Sequence, residues 1–233
     1  MRDRILYRAS SSGDDLGENF QSFTPFVTNI GKQKKKMEGN RKQKIIDVLF
    51  ERYVGDKERV AYLSNILSRN TYIVTFNKSV DKVYNVLKRI HSDFPKNRIF
   101  SLRSEYKQAV KSGDGFLTVE EKIPHVKLNT ISIVAEKTHG PILYVDDEFD
   151  RFFINHVLQK IRSVYTFNTY LNNLEYYHVD ETMSGLEVDS SINISKYNQI
   201  FLDFDDTITR NARKSPVEIE GIKYDYEYFL HNV

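Results

Sequence analysis

The chain has 233 residues, of which 40% are hydrophobic and 28% charged, and its formal net charge is +2. This composition is typical of a globular protein with a sizeable core and excludes a disordered polyelectrolyte. The absence of cysteine excludes disulfides, thiolate metal sites and cysteine nucleophiles. No apolar run is long enough to cross a membrane and the first residues do not resemble a secretory signal, so we expect a cytoplasmic or nuclear protein with no membrane partner.

Residues 1–44 are predicted to form an extended arm in front of a globular domain. Phenylalanines lie at positions 20, 23 and 26, and residues 32–44 contain seven lysines or arginines. Such a basic block is typical of a nuclear-import or polyanion-binding segment, and a solvated linker is the alternative. The aromatic side chains would serve as contacts to protein partners.

The predicted globular domain, residues 45–233, alternates helices with strands. Apolar residues at helical spacing predict helices over residues 45–49, 60–67, 81–90, 105–111 and 149–161. Runs of β-branched and aromatic residues predict strands over residues 71–77, 98–102, 130–135, 142–145, 164–167 and 199–202. Residues 168–195 give no clear prediction. The alternation favours an α/β fold with a Rossmann-like parallel sheet and flanking helices.

The apolar strand 200–202 leads directly into a group of polar residues, Asp203, Asp205 and Thr207. The two aspartates would share a face of an extended backbone, at the edge of the sheet where α/β proteins bind ligands. Neighbouring carboxylates repel each other unless a cation such as Mg²⁺ neutralises them. The alternative is an acidic strand end that only faces solvent.

A second buried strand, residues 142–145, ends in two further acids, Asp146 and Asp147. In a parallel sheet, two such strand ends would meet at one edge. The sequence therefore predicts a Mg²⁺ site with Asp203, Asp205, Asp146 and Asp147 as candidate ligands.

Three further residues are candidates for binding a phosphate group. Thr75 ends a strand just before a helix, and a hydroxyl beside helix N-terminal amides suits an anion. A lysine would neutralise the phosphate charge. Lys127 and Lys137 both precede the strand that ends at Asp146, and the sequence does not choose between them.

These motifs resemble those of the haloacid dehalogenase (HAD) superfamily of phosphatases. Residues 201–207, Phe-Leu-Asp-Phe-Asp-Asp-Thr, are similar to its first motif, Asp-x-Asp-x-Thr after a buried strand. The strand ending at Thr75 is similar to its second motif, and residues 143–147 are similar to its fourth.

The order of these motifs differs from that of the family, in which the Asp-x-Asp strand comes first. Three interpretations remain open. The domain is circularly permuted, with the Asp203 strand inserted at the centre of the sheet; or it is truncated, with the phosphatase domain beginning near Tyr197; or the upstream matches are chance.

The resemblance implies a Mg²⁺-dependent phosphatase that acts through an aspartyl-phosphate. No large cap insertion is visible in the sequence, so we expect a phosphoprotein as substrate. Asp203 would be the nucleophile and Asp205 the general acid and base. Asp146 or Asp147 would hold Mg²⁺ together with Asp203. Thr75 and one of the lysines would bind the transferred group.

Two alternatives come from other classes of protein. Residues 144–147, Tyr-Val-Asp-Asp, are similar to the acidic turn of reverse transcriptases, but a predicted helix follows them where the polymerase has a strand. The rival function is a structural assembly protein that keeps a phosphatase-like fold, such as a viral nucleocapsid component of baculovirus type, associated with the virion. The arm and the aromatic residues 224–229 would then mediate assembly, although the latter would equally pack on the domain.

Overall fold

The computed structural model describes residues 24–112, 116–135, 140–164, 169–179, 185–187, 192–210 and 215–233. The chain divides into two units, Met1–Lys44 and Ile45–Val233. Within the described residues, no helix combines the length and apolar character needed to cross a membrane.

The described residues of the two units form helices and strands with the following bounds. The helices are α1 (Thr24–Tyr53), α2 (Lys57–Leu67), α3 (Val80–Ile90), α4 (Arg103–Lys111), α5 (Val119–Ala135), α6 (Arg151–Val164) and α7 (Tyr226–Asn232). The strands are β1 (Thr71–Thr75), β2 (Ile99–Ser101), β3 (Ile142–Asp146), β4 (Leu174–His178), β5 (Gln199–Leu202), β6 (Val217–Ile219) and β7 (Ile222–Tyr224).

Five of these strands form one parallel sheet in the order β2-β1-β5-β3-β4. Strand β5 is the last of the five in sequence, yet it lies at the centre of the sheet, and all four of its residues are buried. The remaining strands, β6 and β7, form an antiparallel hairpin. The predicted α/β class with a parallel, helix-flanked sheet is therefore confirmed.

Side chains on the two faces of the sheet enter separate hydrophobic clusters. Ile200 and Leu202 of β5 pack with residues from the end of α1 and from α2, α3 and α7. Phe201 points to the other face and packs with residues from α5 and α6. This alternation follows from the two-residue period of a strand, and it explains why Ile200, Phe201 and Leu202 are all apolar.

Residues 130–135, predicted to be a strand, form the last part of α5. Ile131 and Ala135 are fully buried whereas Ile133 is 54% exposed, which is the four-residue spacing of a helix. The helix starts with a capping box, in which Thr118 Oγ1 accepts from Glu121 N at 3.2 Å and Glu121 Oε2 accepts from Thr118 N at 2.8 Å.

Three further differences concern the ends of the domain and its edge strand. Residues 24–44, predicted to be extended, belong to α1, and their lysine and glutamine residues favour a helix. The predicted helix 45–49 is part of the same helix. Val164 ends α6 instead of starting a strand, and residues 165–167 of that prediction lie outside the described residues. Strand β4 was not predicted, because it lies at the edge of the sheet and lacks an alternating pattern.

Candidate active site at the carboxyl edge of the sheet

The predicted acidic residues follow adjacent strands of the sheet. The register pairs Leu202 of β5 with Val145 of β3 on one side and with Ile73 of β1 on the other. The amide of Asp203 continues this ladder by donating to the carbonyl of Val145 at 2.9 Å. Asp203, Asp146 and Thr75 therefore lie at the same edge, the edge at which α/β sheets bind ligands.

Lys127 of α5 joins the two acidic strand ends. Its Nζ donates to Asp146 Oδ2 at 2.7 Å and to Asp203 Oδ1 at 2.9 Å, and Glu148 Oε2 lies 3.8 Å away. The Lys127 side chain is 2% exposed, so this ion cluster is buried. One ammonium therefore bonds both carboxylates and neutralises charge at both strand ends.

Asp146 is held by several donors, whereas Asp147 faces a different neighbour. Asp146 Oδ2 also accepts from the hydroxyl of Tyr144, and Oδ1 accepts from the amide of Glu148 at 2.9 Å. Asp147 Oδ1 accepts from the buried hydroxyl of Thr207 at 3.3 Å. The two adjacent acids thus differ in role, since both oxygens of Asp146 are engaged in fixing the lysine and the turn.

Asp205 lies between the β1 loop and the C-terminal helix. Its Oδ1 accepts from the hydroxyl of Tyr226 at 2.7 Å, and its Oδ2 accepts from Asn77 Nδ2 at 3.5 Å. The next residue, Asp206, has a φ of 57°, which turns the chain away from the strand direction.

Thr75 is connected to this site through Asn77. The Thr75 hydroxyl, 1% exposed, accepts from the amide of Asn77 at 3.1 Å, while the Asn77 side chain donates to Asp205. The Asn77 Oδ1 accepts from the amide of Ser79, the N-cap of α3, at 3.1 Å. The β1 loop therefore carries a hydroxyl and a helix start towards the acidic edge.

Burial and neighbouring charges shift the titration of the central groups. Burial raises the pKa of Asp203, an effect that Lys127 opposes and Asp146 reinforces. Burial works against the charge on Lys127, but Asp146 and Asp203 raise its pKa above the ordinary value, so it stays an ammonium. Burial also raises the pKa of Asp205, against the hydrogen bonds from Tyr226 and Asn77 that lower it. A carboxyl group that keeps its proton to higher pH is suited to general-acid chemistry.

The structure brings together Asp203, Asp146 and Lys127 directly, and it adds residues that the sequence did not indicate. The alternative lysine, Lys137, lies outside the described residues. Tyr144 precedes Asp146 by two positions, so the period of a strand was a signal that its side chain shares the same face. Tyr226 gave no such signal, because its contact depends on how the C-terminal helix packs.

Carboxylate oxygens are the protein ligands that Mg²⁺ prefers, and one or two of them usually suffice when water and a substrate phosphate supply the rest. Asp203 and Asp147, 5% and 7% exposed, provide such oxygens after neighbouring strands. Three or more acidic or histidine side chains grouped to hold a metal ion are not found among the described residues. The donor set thus fits an ion that a substrate helps to bind.

Comparison with known proteins gives no match to a family model, to a curated protein or to a solved structure. Any function assigned to this chain depends on the geometry of the site.

Proposed function

We propose that this protein is a Mg²⁺-dependent phosphatase of HAD type that acts through an aspartyl-phosphate on a phosphoprotein substrate. The observation that carries the proposal is the buried ammonium of Lys127, which bonds both Asp203 and Asp146. A nucleophilic carboxylate, a paired acid and a lysine at one strand edge form the set that phosphoryl transfer to an aspartate requires.

The position of β5 supports a circularly permuted HAD-like domain. Permutation requires the Asp203 strand to insert at the centre of the sheet, and β5 pairs with β1 on one side and β3 on the other. This arrangement favours permutation over a separate domain that begins near Tyr197. It also makes chance similarity a poorer explanation, since the three strands that lead into the matched motifs, β1, β5 and β3, are adjacent in the sheet.

In the proposed reaction, Asp203 attacks the phosphorus atom and the bond to the leaving oxygen breaks, which forms an aspartyl-phosphate. Asp205 gives its proton to the leaving oxygen, so the product departs as a neutral hydroxyl group. Asp205 then takes a proton from water, whose oxygen attacks the phosphorus and releases phosphate and the free Asp203 carboxylate. Lys127 keeps Asp203 oriented throughout and offsets the negative charge beside it, and Thr75 would bind the transferred group.

Asp203 and Asp147 would hold the Mg²⁺ ion, whose charge would stabilise the phosphoryl oxygens. Asp147 is the better candidate of the adjacent acids, because Asp146 is fully buried and already neutralised by Lys127, whereas Asp147 is 7% exposed.

A macromolecular substrate is supported by the short loops around the site. The segments after β1 and β3 that lead into α3 and α6 span only residues 76–79 and 147–150. They are too short to add a cap domain over the acidic edge. A site that these two loops do not cap would accept a phosphorylated side chain on a protein surface.

The test of the proposed function is the hydrolysis of p-nitrophenyl phosphate with Mg²⁺. Asp203→Asn should reduce kcat by about 1,000-fold or more, because the nucleophile is lost. Asp206→Asn is the matched control, since asparagine tolerates the positive φ of this position, and it should retain activity. Unchanged turnover in Asp203→Asn would remove the proposed function.

The second candidate function, assembly through the N-terminal segment, has one specific observation in its favour. Residues 37–44 of α1 are exposed and include three basic side chains, Arg41, Lys42 and Lys44. We therefore propose that this segment contacts polyanions or protein partners. Replacing the three by glutamine should weaken retention on heparin at moderate salt without lowering phosphatase activity. Retention equal to that of the wild type would contradict this role.

A further inference from the structure

The C-terminal helix α7 brings a tyrosine hydroxyl into the acidic site. Its first turn is fixed by Asp225, whose Oδ1 accepts from the amide of Tyr228 at 2.7 Å. Phe229, fully buried, and Leu230, 2% exposed, anchor the helix in the core. The Tyr226 ring packs edge-on against Tyr53 with centroids 5.2 Å apart. The position of its hydroxyl is therefore determined by packing and not by solvent.

The hydroxyl of Tyr226 is one link in a directed chain of hydrogen bonds. It lies 2.7 Å from Asp205 Oδ1 and 2.8 Å from Thr209 Oγ1. Tyr226 donates to Asp205 Oδ1, and the single proton of the Thr209 hydroxyl is shared between Tyr226 and the carbonyl of Phe204, which lies 3.2 Å from Oγ1. Thr209 is fully buried.

This chain makes the two oxygens of Asp205 unequal. Because Oδ1 accepts from Tyr226, the proton of the acid form belongs on Oδ2. The contact of Oδ2 with Asn77 Nδ2 is long, 3.5 Å, at the limit of a hydrogen bond, and so it competes little with proton transfer. One oxygen is thus held while the other is left to react.

We propose that Tyr226 is a positioning residue that directs Asp205 Oδ2 towards the leaving oxygen of the phosphate ester. The inference rests on the proposed phosphatase function and adds to it a role for α7. Without the hydroxyl, the carboxyl group would rotate and present the proton in the wrong direction, and proton transfer would slow although the nucleophile stays intact.

Leaving groups of different basicity distinguish this role from a general structural one. A poor leaving group needs its proton in the transition state, whereas a good one departs without it. For Tyr226→Phe we expect kcat/KM, which covers the steps up to the aspartyl-phosphate, to fall by about 10-fold or more on phenyl phosphate, because general-acid catalysis contributes up to about 10⁴-fold. On 2,4-dinitrophenyl phosphate, kcat/KM should stay within about two-fold of the wild type.

Two further variants make the comparison sharper. Tyr228→Phe on the same helix is the matched control, since its ring packs on Tyr224 at 4.7 Å, and it should not change the dependence on the leaving group. Asp205→Asn should reproduce the selective loss more strongly. Adding Tyr226→Phe to Asp205→Asn should then cause no additional loss, because both changes act on one proton transfer.

Beryllofluoride, which binds an aspartate as a phosphoryl analogue, separates the failure of the inference from the failure of the function. In ¹⁹F NMR the wild type and Tyr226→Phe should form the adduct with Mg²⁺, and Asp203→Asn should not. A loss in Tyr226→Phe that is equal for all leaving groups, or no loss at all, would overturn the role of Tyr226 alone. A wild type that neither forms the adduct nor hydrolyses the esters would overturn both.

Discussion

Replacing Lys127 with methionine tests how the acidic edge is stabilised in the absence of substrate. The substitution keeps an unbranched side chain, one heavy atom shorter, and removes the ammonium that bonds Asp146 and Asp203. The three side chains are 2%, 0% and 7% exposed, so two buried carboxylates would be left close together without a counter-ion. Breaking a buried ion pair from one side costs about 3 to 5 kcal/mol. With a urea m-value of about 2 to 3 kcal/mol/M, the unfolding midpoint should fall by about 1 to 2.5 M.

The stability of Lys127→Met should also depend on pH in a defined direction. Burial already raises the pKa of Asp203, and Lys127 is the group that opposes this rise. In Lys127→Met the pKa should rise further, so the folded state would bind more protons than the unfolded chain. The variant should therefore recover stability as the pH falls from about 7.5 to about 5, relative to the wild type.

Urea unfolding followed by circular dichroism at both pH values measures the effect. The control is Lys96→Met, which breaks an exposed ion pair with Asp81. The side chains of Lys96 and Asp81 are 51% and 79% exposed, so the loss of stability should be less than about 1 kcal/mol. Adding Asp203→Asn to Lys127→Met should restore part of the stability, because one unpaired carboxylate is removed. A loss no larger than that of the control, or a loss independent of pH, would refute the view that Lys127 neutralises this edge.

Three further predictions concern the metal, a buried acid and a glycine. About 10 mM Mg²⁺ should stabilise the wild type by about 1.4 kcal/mol for a dissociation constant of about 1 mM, and differential scanning fluorimetry should show no such shift in Asp147→Asn. Burial opposes ionisation of Glu121, but hydrogen bonds from Lys160, the Thr118 amide and His156 lower its pKa to about 2. Glu121→Gln should thus lower the free energy of unfolding in urea by about 1 to 2 kcal/mol at neutral pH, a modest loss because Lys160 is 32% exposed. The difference from the wild type should disappear as the pH falls from 4.5 towards about 2. Gly185→Ala should lower the melting temperature, because φ is +115° and the added Cβ would lie 2.6 Å from Arg59 Nη2, whereas Gly39→Ala in α1, with nothing within 4 Å, should not.

Local patterns in the sequence were sufficient to predict the class of the fold and the acidic edge. Strands that end in acids, at Asp146 and Asp203, are short-range signals, and the parallel sheet aligns their ends. The strand predicted at 130–135 failed because Ile131 and Ile133 are β-branched, while packing against the sheet and the capping box at Thr118 favour a helix. Local propensity was overridden there by tertiary contacts.

The parts of the site that the sequence did not specify depend on how distant segments pack. The sequence offered Lys127 and Lys137 equally, because the contact of Lys127 with Asp146 depends on how α5 packs on the sheet. The contact between Tyr226 and Asp205 depends on the packing of α7 against Tyr53. Neither contact leaves a short-range pattern in the sequence, so each is seen only in the folded structure.

The central place of β5 also has a consequence for the order of events during synthesis. Thr71 of β1 pairs with Ile200, and Ile142 of β3 pairs with Gln199, so the middle strand leaves the ribosome after both of its neighbours. Until then β1 and β3 each expose an unpaired edge, and such edges promote association between nascent chains. We expect productive folding to be a late, slow step dominated by contacts distant in sequence. Asp203 follows the same strand, so completion of the sheet and assembly of the proposed nucleophile with Lys127 and Asp146 would coincide.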